Sequence, residues 1–238
     1  MIRVFLMSLV IFFLGSTLSA ESLKIAAGAG YKKPLMDVLK VYEQTHPKVE
    51  AMFGNMGQVF AQAKQGEVAL LIGDKKFLEK QTGVVFTHYQ TIGHGKAVMA
   101  YAKGVKLSKI EDLSLGNITK MAMPDAKKAI YGIAGMEFLN NSKLYDAIKD
   151  KLMVVSTVPQ VTTYVITHEV DVGIINLTAA LDAKDQIGGY MEIPVSLYTP
   201  IEIVAGSLES CSKQQECQDF VTFLSSESAK EIFHRYGL

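Results

Sequence analysis

From Lys24 onward the chain alternates short apolar runs with amphipathic stretches, and this alternation limits its fold more than any other feature. "LKIAAG" (23–28), "VEAMF" (49–53) and "VALLIG" (68–73) have the length and composition of strands. Between them, 34–46 places Leu35, Val38, Leu39 and Tyr42 on one helical stripe, and a second helix over 57–65 stops at Gly66. A short helix is expected after Asp74, in "KKFLEKQ". Strands separated by helices pair in parallel, because a parallel pair needs a crossover connection. "VALLIG" is apolar throughout, as a strand covered on both faces must be.

The pattern changes at 84–103. "VVFTHYQTIG" and "KAVMAYAKG" are two extended runs joined by "HGK", with no helix between them. The alternation then restarts: helix 108–113, strand 120–124, helices 131–141 and 144–150, strand 152–156, helix 159–168, strand 170–175 and helix 177–185. A second extended region, 188–206, leads to two closing helices over 213–225 and 226–235. The expected fold is α/β: two α/β lobes joined by two crossovers. Lobe 1 takes 21–100 plus 201–238 and is completed by the closing helices; lobe 2 takes 101–200. The 238 residues suffice for two such lobes, each with its own core.

The first twenty residues stand apart. Arg3 precedes an apolar core from Val4 to Leu14, and small residues run from Gly15 to Ala20. That core is short for a membrane span, and the small-residue exit suits a signal peptidase, so 1–20 reads as a signal peptide cleaved after Ala20. The mature chain is then expected in the periplasm. Cys211 and Cys217 are the only cysteines, and an oxidising compartment permits a bridge between them; two free thiols are the alternative. With 24 basic and 24 acidic side chains, the chain lacks the basic excess of a nucleic-acid binder. A local patch around a small anion remains open to it.

Five strand-to-helix corners gather the candidate residues: "AAGAGYKKP", "FGNMGQV", "PDAKKAIYG", "STVPQVTTY" and "IINLT". Ligands of open α/β sheets sit beyond the carboxyl ends of the strands, and helix N-termini there offer unpaired N–H groups to anions. Gly28 and Gly30 let backbone approach a guest, and Pro34 and Pro159 fit the first turn of a helix. Lys33 and Lys128 bring positive charge to two corners, though such lysines also serve as plain solvated surface. Asn55 and Asn176 suit helix caps as well as ligand contacts, and Tyr31 and Tyr131 suit packed rims. Met56 suits core.

These residues carry a resemblance. The chain resembles the periplasmic molybdate-binding proteins of ABC importers, within the type II periplasmic binding proteins. The likeness rests on "KIAAGAG", "FAQAKQG", "LLIGD", "AIYGIAGMEFL", "VPQVTTYVITHEVDVGIINLTAAL" and "FLSSESAKEIFHRYG". It implies a cleft that closes on a tetrahedral oxyanion, molybdate or tungstate, held by backbone N–H groups and hydroxyls. The family's two corner serines fall near Ala29 or Gly30 and near Asn55 or Met56, where this chain has no hydroxyl. Its amide contacts fall near Tyr131 and Val161, and its tyrosine is replaced by Asn176. The resemblance also implies an ABC permease of the inner membrane as partner, no nucleic acid, no cofactor and a monomeric receptor.

Other functions fit less well. An organic or phosphorylated anion is an alternative guest, and an extracellular adhesin or metal chaperone is an alternative use of the same fold. The chain has no G-x-S-x-G, H-E-x-x-H or G-x-x-x-x-G-K-[ST] motif, so no enzyme is expected. Its five histidines lack metal-ligand spacing.

Overall fold

The computed structural model describes residues 22–238; the signal peptide read over 1–20 lies outside the described residues. The chain forms two five-stranded mixed sheets with helices packed on them. The first has strand order β2-β1-β3-β10-β4. Its parallel part joins β1 (Lys24–Gly28), β2 (Glu50–Gly54) and β3 (Leu70–Asp74) through α1 (Lys32–Tyr42) and α2 (Met56–Lys64), with α3 (Lys75–Glu79) after β3. Leu35, Val38, Leu39 and Tyr42, the stripe read from the sequence, are all buried. Each such side chain contributes roughly 1.5–3 kcal/mol by leaving water.

The helix-free regions supply the other strands. β4 (Phe86–Gly95) runs almost directly into β5 (Ala97–Tyr101), but the two lie in different sheets. Gly95 pairs with Ile201 in the first sheet and Ala97 pairs with Asn176 in the second, so Lys96 alone links them. The second sheet has the order β7-β6-β8-β5-β9. Here β6 (Met121–Pro124) lies parallel to β7 (Leu152–Val155) and β8 (Val172–Asn176). α4 (Ile130–Asn141) and α5 (Tyr145–Ile148) lead from β6 to β7, α6 (Val158–Ile166) leads from β7 to β8, and α7 (Leu177–Asp182) follows β8. β9 (Gly189–Glu192) then precedes β10 (Ile201–Leu208), which returns to the first sheet antiparallel to β3 and β4.

α8 (Gln215–Leu224) and α9 (Glu227–Arg235) pack on α1 and β4, so they complete the first half. Tyr42 meets Phe220 edge-on at 5.0 Å in that layer. Cys211 and Cys217 are joined by a disulfide at the start of α8. Several helices are shorter than their pattern predicts, and two of these give way to 3-10 turns. The stretch 108–113 is only a 3-10 turn at Ile110–Ser114, because the Asp112 carboxylate accepts the amides of Ser108 and Lys109 and closes a local turn instead. The helix over 144–150 stops at Ile148 and tightens into a 3-10 turn at Lys149–Lys151.

Candidate functional site

The first half offers two corners of different build. After β1, Gly28 leads into a single 3-10 turn, Ala29–Tyr31, which has no side-chain cap. Tyr31 folds inward and is buried. After β2, Asn55 caps α2 reciprocally: its Oδ1 accepts the Gln58 amide at 3.0 Å, and Gln58 Oε1 accepts the Asn55 amide at 3.0 Å.

The second half repeats the pair. The loop after β6 folds back so that Asp125 C=O accepts the amides of Lys128 and Ala129, and α4 begins at Ile130 with no side-chain cap. Gly132 makes this tight return feasible, since a Cβ there would lie 2.4 Å from the Asp125 carbonyl oxygen. Tyr131, in the first turn of α4, is buried. After β7, Gln160 Oε1 accepts the amides of Ser156 (2.9 Å) and Thr157 (3.1 Å), with Pro159 in the first turn of α6. A fifth corner, after β8, is capped by Asn176, whose Oδ1 accepts the Ala179 amide at 3.2 Å.

Four of these corners line one cavity of about 30 Å³, formed by residues 28–31, 54–56, 129–131, 157 and 158. Four hydrogen bonds cross between the halves around it. Tyr31 and Tyr131 share one between their hydroxyls at 2.7 Å, and Asn55 Nδ2 donates to Ser156 Oγ at 2.7 Å. The Met56 amide donates to Lys128 C=O at 2.8 Å, and Asn176 Nδ2 donates to Gly30 C=O at 3.0 Å. The structure is thus a closed arrangement of the halves.

Among the described residues, none with a charged side chain lines the cavity. Burial, more than any neighbouring charge, pushes the phenols of Tyr31 and Tyr131 above their ordinary value of 10.0, so both stay neutral. The starts of α2, α4 and α6 lie on the lining, and a helix N-terminus favours negative charge. Such a lining can hold a small anion without a counter-ion.

Of the residues singled out in the sequence, Gly28, Ala29, Gly30, Tyr31, Asn55, Met56 and Tyr131 lie together on this cavity. The others do not. Lys33 lies in an outer groove of about 360 Å³ between α1, α6 and α7, and its Nζ pairs with Asp37 at 3.3 Å. Lys128 takes part through its carbonyl rather than its ammonium group. Val161 is buried behind the cavity against Gly173, and Asn176 is fully buried as cap and cross-link. Gly54, Ala129, Ile130, Thr157 and Val158 complete the lining without having been singled out. One signal was available: Thr157-x-x-Gln160 has the spacing of Asn55-x-x-Gln58.

A profile of the bacterial extracellular solute-binding proteins matches residues 23–238. The molybdate-binding protein ModA of Azotobacter vinelandii is 28% identical over 226 residues, covering 92% of this chain and 90% of that protein. Among solved structures, the periplasmic molybdate-binding protein of Azotobacter vinelandii aligns with a TM-score of 0.82 at 22% identity, covering 91% of this chain and 98% of the other. PEB3, a Campylobacter jejuni protein solved with L-phospholactate bound, aligns with a TM-score of 0.72 at 21% identity, covering 91% and 98%.

Proposed function

The chain belongs to the bacterial extracellular solute-binding proteins, and on that premise we propose that it captures a compact oxyanion, molybdate or tungstate, and presents it to an ABC permease. The observation that carries this reading is the cavity at the meeting of four corners, with backbone and neutral side chains for walls. The uncapped turn at Ala29–Tyr31 and the uncapped start of α4 leave amides for the guest's oxygens. Because both halves supply walls, a guest that touches both favours the closed state by its differential affinity. The polypeptide pivots on the two places where the sheets change, Lys96 and the short segment before Ile201.

The relatives support the choice of guest, since ModA of Azotobacter vinelandii is named for molybdate. The test is a thermal-shift series on the mature chain with molybdate, tungstate, sulfate, phosphate and citrate. Binding to the native state raises the melting point by mass action, about 2.7 kcal/mol at a hundredfold excess over Kd. A rise of several degrees with molybdate and tungstate at micromolar concentration is expected. A rise only with citrate or phosphate overturns the choice of guest, and no rise with any of them overturns the anion site.

A further inference from the structure

A second cavity, of about 80 Å³, lies between α3 and α4 beside the return crossover. Asp74 and Phe77 line it from the first half, Ile133 and Glu137 from the second, and Pro200 from the crossover. Ile130 lines both this hinge cavity and the anion cavity. Both tyrosines line the anion cavity, and Tyr131 follows Ile130 in the chain. Its hydroxyl lies on the hinge side: the Cβ position of Gly95 is 2.2 Å from Tyr131 Oη and 3.0 Å from Cγ2 of Ile201, which lines the hinge cavity.

We propose that Tyr31 and Tyr131 form a back wall that sets the size of the guest, confining it to a compact oxyanion and shutting it off from the hinge cavity. This rests on the anion reading given above. The wall is built by closure itself, since Tyr31 comes from the first half and Tyr131 from the second, joined hydroxyl to hydroxyl at 2.7 Å. Both rings are buried, and Tyr131 Oη packs so close to the Gly95 backbone that a Cβ there would stand 2.2 Å from it. On the side facing the outer groove, the Asn176–Gly30 hydrogen bond bars the way.

The wall also has an electrostatic consequence. Asp74 is tied down by the amides of Phe77 (2.8 Å) and Glu202 (3.3 Å), so its carboxylate cannot retreat from the hinge cavity. Two neutral phenols between it and an anion replace a close like-charge contact by a pair of uncharged groups. Without them, the apolar part of the hinge cavity, Phe77, Ile130, Ile133 and Ala134, is open to a short alkyl arm on the guest.

The test compares molybdate with propyl phosphate, an oxyanion carrying a three-carbon arm, by titration calorimetry on the full mature chain and on Tyr131→Ala, Tyr31→Leu and Asn176→Ala. The wild type is expected to prefer molybdate by about a hundredfold or more. Tyr131→Ala shifts the ratio toward propyl phosphate by about tenfold or more, the scale expected for burying a few methylenes. Tyr31→Leu gives the same comparison from the other half, should Tyr131→Ala fail to fold by circular dichroism. A ratio that stays put in both tyrosine variants, or that moves only in Asn176→Ala, overturns the wall and leaves the anion site standing. A wild type that takes propyl phosphate as tightly as molybdate does the same. A wild type that binds neither removes the anion reading and the wall with it.

Discussion

The two halves meet like with like. Each contributes one uncapped corner bearing a tyrosine, Ala29–Tyr31 and the start of α4, and these join through the hydroxyls of Tyr31 and Tyr131. Each also contributes one corner whose entering amides are taken up by a following glutamine, Asn55 by Gln58 and Ser156 and Thr157 by Gln160, and these join through Asn55 Nδ2 and Ser156 Oγ. A cap satisfies the same donors that would otherwise serve a guest. On the proposed function, the tyrosine corners do the gripping, while the glutamine-tied corners are clasps that hold the halves together. Substitutions that separate gripping from clasping test this division.

The largest effect is expected where the tyrosine corners depend on the crossover. Gly95→Ala places a methyl carbon 2.2 Å from Tyr131 Oη and 3.0 Å from Ile201 Cγ2, so the phenol must leave its partner or the halves must part. Overpacking of this kind costs about 1–3 kcal/mol, here charged to the closed state, or about tenfold to a hundredfold in affinity. Calorimetry against molybdate reads it. Affinity equal to wild type would mean that the meeting of the tyrosines is not needed for closure.

Asn176→Ala comes next, because one fully buried side chain serves both kinds of corner: it caps α7 and holds the Gly30 carbonyl of the opposite half. Losing both bonds should lower stability by about 1–3 kcal/mol, read by chemical denaturation. Affinity should fall about tenfold, since Gly30 belongs to a gripping corner. A loss of stability with no loss of affinity would confine Asn176 to capping.

The fold was far more legible in the sequence than these pairings. The stripe Leu35, Val38, Leu39, Tyr42 announces α1 because burial imposes a helical period, and the helix-free runs at 84–103 and 188–206 locate the change of sheet because a crossing strand needs no helix. The corners were visible as Gly, Asn and Pro at strand ends. Which corner meets which was not, since Tyr31 and Tyr131 lie 100 residues apart and Asn55 and Ser156 lie 101 apart. No local pattern encodes such contacts. Lys128 stands out in the sequence by its ammonium group, while the crossing bond uses its carbonyl, which every residue has.

Ser156→Ala is the cleaner probe of the clasp, with a smaller effect. It removes the acceptor of Asn55 Nδ2 and leaves the Gln160 bond, which uses the Ser156 backbone. A cost of about 1 kcal/mol is expected, and a double-mutant cycle with Asn55→Ala isolates the clasp from the cap that Asn55 also provides. Affinity for molybdate should change only severalfold. Abolition of binding by Ser156→Ala alone would make the capped corners part of the grip and erase the distinction between the two kinds.

The smallest effect is expected at Lys33, which looks in the sequence like the natural partner of an anion. It sits on the outer groove rather than on the cavity, with its side chain 53% exposed and engaged with Asp37, which in turn accepts from the Tyr236 hydroxyl at 2.7 Å. An exposed lysine outside the cavity is screened by solvent and salt, so Lys33→Ala should alter affinity for molybdate by about twofold or less. It should instead slow capture at low ionic strength, because a surface cation outside the cavity still steers anions by its field. Stopped-flow association at two salt concentrations separates the outcomes. A tenfold loss of affinity that persists at high salt would place the ammonium group on the guest, and the anion would then be gripped by charge at its edge rather than by the corners that enclose it.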